Sequence, residues 1–206
     1  MKSYGGKTAD ERRAERRAQL IAAARELFIA RGYAGTSIRA VLREAGLQER
    51  YFAENFSGMD DLLAAVHDEV DAYFFDSLMR DVDRSDPPAH QRRTILTNYI
   101  TAIEKHPAWA RIKLIETVGV SALVDERRRQ TQEKYATAAV AFMPVPRAGS
   151  TLDPHILARA FISGMNGIII DWLTGTLDID TDQVITHGNA LFDGVLEALN
   201  ARQETS

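Results

Sequence analysis

Residues Val41 to Phe56 read VLREAGLQERYFAENF, and they part at Ala45-Gly46-Leu47 into two short helical pieces. Neither piece would persist alone, since isolated helices need roughly a dozen residues or more. Two short helices joined by a tight glycine-containing turn describe a helix-turn-helix. The residue types suit that arrangement. Ala40 is small where the two axes must come close, and Gly46 takes a positive φ at no steric cost. Leu47 and Phe56 are expected to anchor the second piece, about residues 48–56, in a core with Leu27 and Phe28, and Phe52 is expected to point inward as well. Gln48 opens that piece, and Glu49, Arg50, Tyr51, Glu54 and Asn55 are left more or less outward. A short docked helix with a polar outer face is sized for a DNA major groove, which admits one helix.

Outward from this stretch, apolar residues recur at helical spacing almost everywhere. Leu20, Ala24, Leu27 and Phe28 mark a first helix that Gly32 stops, and Thr36-Ser37 offers an N-cap for the second. Ser57 is expected to cap a long fourth helix through Leu62, Leu63, Val66, Val70, Phe74 and Leu78, which Asp86-Pro87-Pro88 ends. A fifth helix carries Ile95, Tyr99 and Ile103, and a sixth starts at Pro107 and carries Trp109, Ile112 and Glu116 as far as Gly119. A seventh runs from Ser121 to about Phe142, and Pro144 to Ser150 is a loop. An eighth helix runs from Asp153-Pro154 to about Leu173, and a last one from about Asp182 to Ala201. No stretch alternates apolar and polar residues for long, so no sheet is expected. The expected fold class is all-α with about nine helices. A three-helix helix-turn-helix domain covers residues 10–57, and a larger helical domain covers 58–206.

Hydrophobic residues make up 45% and charged residues 26% of the 206, the balance of a soluble globular protein. There is no cysteine, which excludes disulfides and thiolate metal sites. A net charge of −4 does not suggest nucleic acid, but its distribution does: residues 1–56 hold 11 Lys+Arg against 7 Asp+Glu, leaving 14 against 22 for the rest. A basic head on an acidic body fits a head that meets an anion. The N-terminal stretch lacks the apolar core of a signal peptide. No run approaches the roughly 20 apolar residues of a membrane span, so a cytoplasmic protein without a membrane partner is expected. His67, His90, His106, His155 and His187 show no paired metal spacing. Asp178 to Asp182 opens like a calcium loop, but Gln183 stands at the sixth position and Asn189 at the twelfth. There is no phosphate-cradling glycine loop and no nucleophile elbow. Neither metal, cofactor nor catalysis is expected.

Residues 18–66, AQLIAAARELFIARGYAGTSIRAVLREAGLQERYFAENFSGMDDLLAAV, resemble the N-terminal domain of TetR-family transcriptional regulators. The matching features are Ala-Ala-x-x-Leu-Phe from Ala23 to Phe28, Gly32-Tyr33, Thr36-Ser37, Ala45-Gly46-Leu47, Phe56 and Leu62-Leu63. The resemblance implies a regulator that binds a palindromic double-stranded DNA operator as a homodimer, under control of a small-molecule effector held in a helical body. Three positions depart from the pattern. Ala53 stands where members usually have Tyr, Met59 where they commonly have Lys, and Gln48 where a Ser often caps the recognition helix. Those three roles are not carried over. Thr36, Ser37 and Arg39 remain at the start of the second helix, where hydroxyls, amides and the helix dipole favour phosphate. Arg50 fits a guanine edge, while Tyr51 and Asn55 fit phosphate. Arg12, Arg13, Arg16 and Arg17 either reach the DNA backbone or minor groove or form a solvated helix end beside Asp10, Glu11 and Glu15.

The body is long enough for a core and a cavity. The expected lining is Phe74, Phe75, Leu78, Tyr99, Ile103, Trp109, Ile112, Lys113, Glu116, Met165, Asn166, Ile169 and Trp172, with Lys113, Glu116 and Asn166 as the polar groups. Such a site suits a largely apolar effector, although residues at this spacing are also what ordinary core looks like. Lys113, three residues before Glu116, is placed to neutralise it. The stripes Ala160, Gly164, Ile168 and Leu191, Val195, Leu199 suit pairing of the last two helices with those of a second copy, as the family resemblance implies. A competing expectation is a helical small-molecule binder whose head has lost strong DNA affinity.

Overall fold

A computed structural model describes residues 8–146 and 150–200. Arg147 to Gly149, within the expected loop, and Ala201, at the expected end of the last helix, lie outside the described residues. Among the described residues the chain forms nine α-helices and no strand. They are α1 (Ala9–Arg31), α2 (Ile38–Ala45), α3 (Glu49–Ala53), α4 (Met59–Leu78), α5 (Pro88–Lys105), α6 (Pro107–Arg111), α7 (Ala122–Val140), α8 (Pro154–Thr174) and α9 (Thr181–Asn200). A π-helical turn, Ile112–Glu116, continues α6 without a break.

Local chemistry sets these limits. Thr8 and Glu11 form a reciprocal capping box on α1. Ser37, Ser121 and Asp153 each accept from a first-turn amide of α2, α7 and α8. Gly46 ends α2 at φ 66°, in the left-handed region open to glycine. Two expectations shift. The N-cap of α4 is Gly58, not Ser57; Ser57 instead donates from its backbone N–H and its hydroxyl to the Asp61 carboxylate at 2.9 and 3.2 Å. The third helix stops at Ala53 instead of Phe56: the Asn55 amide donates to the Phe52 carbonyl at 2.9 Å, and the Asn55 side chain takes the Tyr51 carbonyl at 2.7 Å.

Helix α4 is the spine. Its first turns bury Leu62, Leu63 and Val66 against Leu20, Ala24 and Phe28 of α1, and its later turns bury Val70 and Phe74 in the core of the body. The expected boundary at residues 57 and 58 therefore falls at the start of an element that both parts share. The body packs α4 on α5 and α7, α7 on α8, and α9 on α5 and α8. By length and composition alone, one described helix, α8, could cross a membrane. Within the bundle it lies against α7 and α9.

Candidate functional site

The short helix α3 is held from two sides. Phe52 and Phe56 are buried and tilt against each other, with ring centroids 5.7 Å apart. On the other side, α1 grips the end of α3. Arg13 donates to the Glu54 carbonyl at 2.6 Å, Arg17 donates to the Asn55 carbonyl at 2.9 Å, and Arg16 pairs with the Glu54 carboxylate at 3.4 Å. Cations at a helix C-terminus complement the exposed carbonyls there. Three of the four arginines at the start of α1 thus hold the short helix in place, a use that sequence reasoning did not foresee. The three pairings span about forty residues of chain separation, roughly 38 to 41.

The outer surface of α3 shows Gln48, Glu49, Arg50 and Ala53 to solvent, with Arg39 of α2 also exposed. The Arg50 guanidinium donates to the Tyr51 hydroxyl at 2.7 Å and lies over its ring, with Arg16 over that ring as well. Asn55 donates to the Tyr51 carbonyl at 2.7 Å, while its own Oδ1 is buried without a hydrogen-bond partner. Thr36 donates to the Gly32 carbonyl, and exposed Ser37 serves as the cap of α2. Met59 is half-buried against the core, and Ala53 is exposed.

The body holds a partly open cavity of about 210 Å³ between α4, α5, α7, α8 and α9. Six expected residues line it: Phe75, Leu78, Tyr99, Lys113, Met165 and Asn166. The other seven expected residues do not. Ile103, Ile112 and Ile169 are fully buried in the core, because their helix faces turn toward the neighbouring helix instead of the opening. Trp172 is half-buried against the core, and Phe74 is buried there too. Trp109 packs on Tyr73 and stacks on His106, with the Arg25 guanidinium of α1 over its ring. Glu116 faces the head, where its carboxylate accepts from the Tyr33 N–H at 2.9 Å. The wider π turn splays residues 113 and 116 apart, so Lys113 does not neutralise Glu116.

Lys113 belongs instead to a buried polar floor. Its ammonium donates to the Tyr99 and Tyr135 hydroxyls at 3.2 and 2.9 Å, and lies 2.9 Å from Asp71 Oδ1. That last contact is an ion pair without hydrogen-bond alignment, since Oδ1 has no hydrogen-bond partner. Lys134 holds the other Asp71 oxygen. Burial works against ionisation of Asp71, yet Lys113 and Lys134 outweigh it and hold the carboxyl below its ordinary value. Burial, with Tyr99 and Asp71 nearby, pushes the Tyr135 hydroxyl well above its ordinary value, so it keeps its proton. His67, fully buried one turn before Asp71, also lines the cavity. Sequence reasoning missed His67, Asp71 and Tyr135. The available signal was two polar residues, His67 and Asp71, on the apolar stripe of Leu63, Val66, Val70 and Phe74.

At the far side of the body, Ala160 and Gly164 are exposed, Leu191 is 38% exposed, and Ile168 and Val195 are half-buried. Leu199 differs: it is buried within its own chain, on the inward face of α9 with Val184, Gly188 and Phe192.

Residues 20–66 match the family described as bacterial regulatory proteins, tetR family. No curated protein matches the chain. Among solved structures, it is similar to a TetR-like transcriptional regulator from Rhodococcus sp. RHA1, at 20% identity and a TM-score of 0.66, covering 92% of this chain and 98% of that one. It is also similar to the transcriptional regulator FadR from Bacillus subtilis in complex with stearoyl-CoA, at 14% identity and a TM-score of 0.68, covering 87% and 97%. The fatty acid degradation regulator FadR from Bacillus halodurans matches at 12% identity and a TM-score of 0.65, covering 98% and 100%. At these identities the likeness speaks for the fold.

Proposed function

We propose, from the premise that residues 20–66 are the DNA-binding head of a tetR-family regulator, that the protein is a sequence-specific transcriptional repressor. It binds a palindromic operator as a homodimer and is controlled by a small effector in the body cavity. The observation that carries this reading is the short helix. It is pinned by buried Phe52 and Phe56, clamped by three arginines, and turns Glu49 and Arg50 to solvent. One such helix reads few bases, and two on adjacent half-sites restore affinity. The apolar, mostly unburied α8 supports a second copy there, since large exposed apolar faces mark interaction surfaces. The partly open cavity supports an effector, and a structural neighbour holds stearoyl-CoA.

A second reading is a small-molecule binder whose head holds DNA weakly. Ala53 and Met59 favour it, because neither offers a phosphate contact. Selecting duplexes from a random pool, then measuring affinity against salt, separates the two. Enrichment of a palindrome with steeply salt-dependent binding supports the regulator; no enrichment with weak binding to every duplex overturns it.

Two variants refine the reading. Arg50→Ala is expected to weaken the selected duplex by about 1–3 kcal/mol and relax one base position. Equal loss on all sequences would move Arg50 from base to phosphate. Glu116→Ala removes the carboxylate that accepts from Tyr33, a bond to a charged group worth about 1.5–3 kcal/mol. Operator affinity is expected to change while effector affinity of the free protein stays within about threefold. The reverse pattern would place Glu116 in the effector site.

A further inference from the structure

We propose that the cavity takes a carboxylic acid with a compact apolar body, its carboxylate seated on the hydroxyls of Tyr99 and Tyr135. The inference rests on the effector reading of the same cavity and names the effector's chemistry. Three observations point to it.

The first is charge. Two lysines, buried Lys113 on the cavity floor and half-exposed Lys134 behind it, share the single carboxylate of Asp71, so the cluster carries a net positive charge. The walls add Arg92, Arg93 and Arg128 against Asp193 alone. Arg92 stands 4.0 Å from Asp193, and Arg128 is 3.8 Å from Asp125, so neither is tightly paired. A cationic guest would meet net repulsion, and a neutral one would leave the net positive charge of the lining without a counter-ion.

The second is hydrogen-bonding capacity. Lys113 gives its protons to Tyr99 and Tyr135. Each hydroxyl accepts from Lys113; the Tyr99 proton is left to donate, and an arriving oxyanion competes with Asp71 and Tyr99 for the proton of Tyr135. Two donors beside a buried ammonium suit an oxyanion with two oxygens. Lys113 is 5% exposed and His67 is 1% exposed, so the floor is built into the protein and not laid on its surface. The His67 Nδ1 is buried without a hydrogen-bond partner.

The third is size and wall. Beyond the floor, the walls are Phe75, Leu96, Phe142, Phe161 and Met165. At about 30 Å³ for each water-sized group, the cavity holds roughly seven such groups and is partly open beyond them. That matches a benzoate-like ring or the acyl chain of a medium-length acid.

Calorimetric titration of the full chain tests this, with octanoate and benzoate as probes and octan-1-ol and octylamine as uncharged and cationic counterparts. At least one acid is expected to bind ten times or more tighter than the alcohol and the amine. Preference between the two acids tells chain from ring. Tyr135→Phe is expected to weaken the acid about tenfold and leave the alcohol unchanged, with thermal melting to verify its fold. Tyr99→Phe serves if Tyr135→Phe does not fold. Absence of binding by both acids, an alcohol or amine that binds as well, or unchanged acid affinity in the folded variant overturns the proposal. A selected palindrome without acid binding would sink only the carboxylate assignment. Acid binding without any selected duplex would sink only the operator reading.

Discussion

Asp71→Ala is expected to destabilise the protein by about 3–5 kcal/mol, the usual cost of removing one partner of a buried ion pair. At about 2–4 °C per kcal/mol for a chain of this size, thermal melting should fall by roughly 6–20 °C. Lys113 is almost fully buried and has Asp71 as its anionic partner, so the truncation leaves an ammonium among tyrosine rings. The loss is expected to come from that stranded charge. Accordingly, Asp71→Leu combined with Lys113→Met should recover most of it, because well-packed apolar replacements of buried pairs are often neutral. A double variant as unstable as the single would mean that the packing of α4 on α7, and not the charge, is at stake. The pH dependence follows from the same group. The Asp71 carboxyl titrates below its ordinary value in the folded protein. Its stabilisation is therefore complete above the unfolded carboxylate's pKa of about 3.9 and is lost as pH falls through the lower folded value. Denaturant melts at a series of pH values should show a steeper acid limb in the natural protein than in Asp71→Ala.

The second large effect is expected at Phe52. Truncation of a buried phenylalanine to alanine costs about 3–5 kcal/mol, and Phe52 is 5% exposed. Here the consequence is also functional. Helix α3 has five residues and no side-chain bond at its N-cap Gln48, so its shape depends on docking and not on propensity. Affinity for the selected duplex should fall about 100-fold or more, which exceeds the effect of Arg50→Ala. Binding of an acid in the cavity should persist in whatever fraction remains folded. If the folded variant keeps operator affinity within a few-fold, α3 is not the element that reads DNA.

The head was legible because its signals are local. Ser37 as a cap, Gly46 as a left-handed stop and the inward face of Val41, Leu42 and Phe56 are all fixed by neighbours a few residues away. The partners of charged residues were less legible. Glu116 was expected in the cavity beside Lys113, and the residue that it meets instead, Tyr33, lies 83 positions upstream. Asp71 meets Lys134 across 63 positions and Arg17 meets Asn55 across 38. No spacing rule spans such distances. Part of the cavity list went astray for a related reason: periodicity sorts inward from outward residues, but it does not say which inward residues face a void. Tyr99, Lys113 and Met165 face it, while Ile103 and Ile112, on the same helices as Tyr99 and Lys113, fill space elsewhere. A period of 3.6 applied across residues 112–116 also carries the wrong pitch there.

That pitch has a mechanical meaning. Each residue of an α-helix advances the chain by about 100° around its axis, and a π turn takes up more residues for the same circuit. The turn Ile112–Glu116 thus holds angular slack between its two ends. Were it to tighten to α geometry, one end would rotate against the other by an angle of that order. Lys113 is fastened at the cavity floor by Asp71, Tyr99 and Tyr135, so the rotation would fall on Glu116 and carry its carboxylate off the Tyr33 amide. Five residues of π pitch are thus all that lies between the cavity floor and the contact with the head.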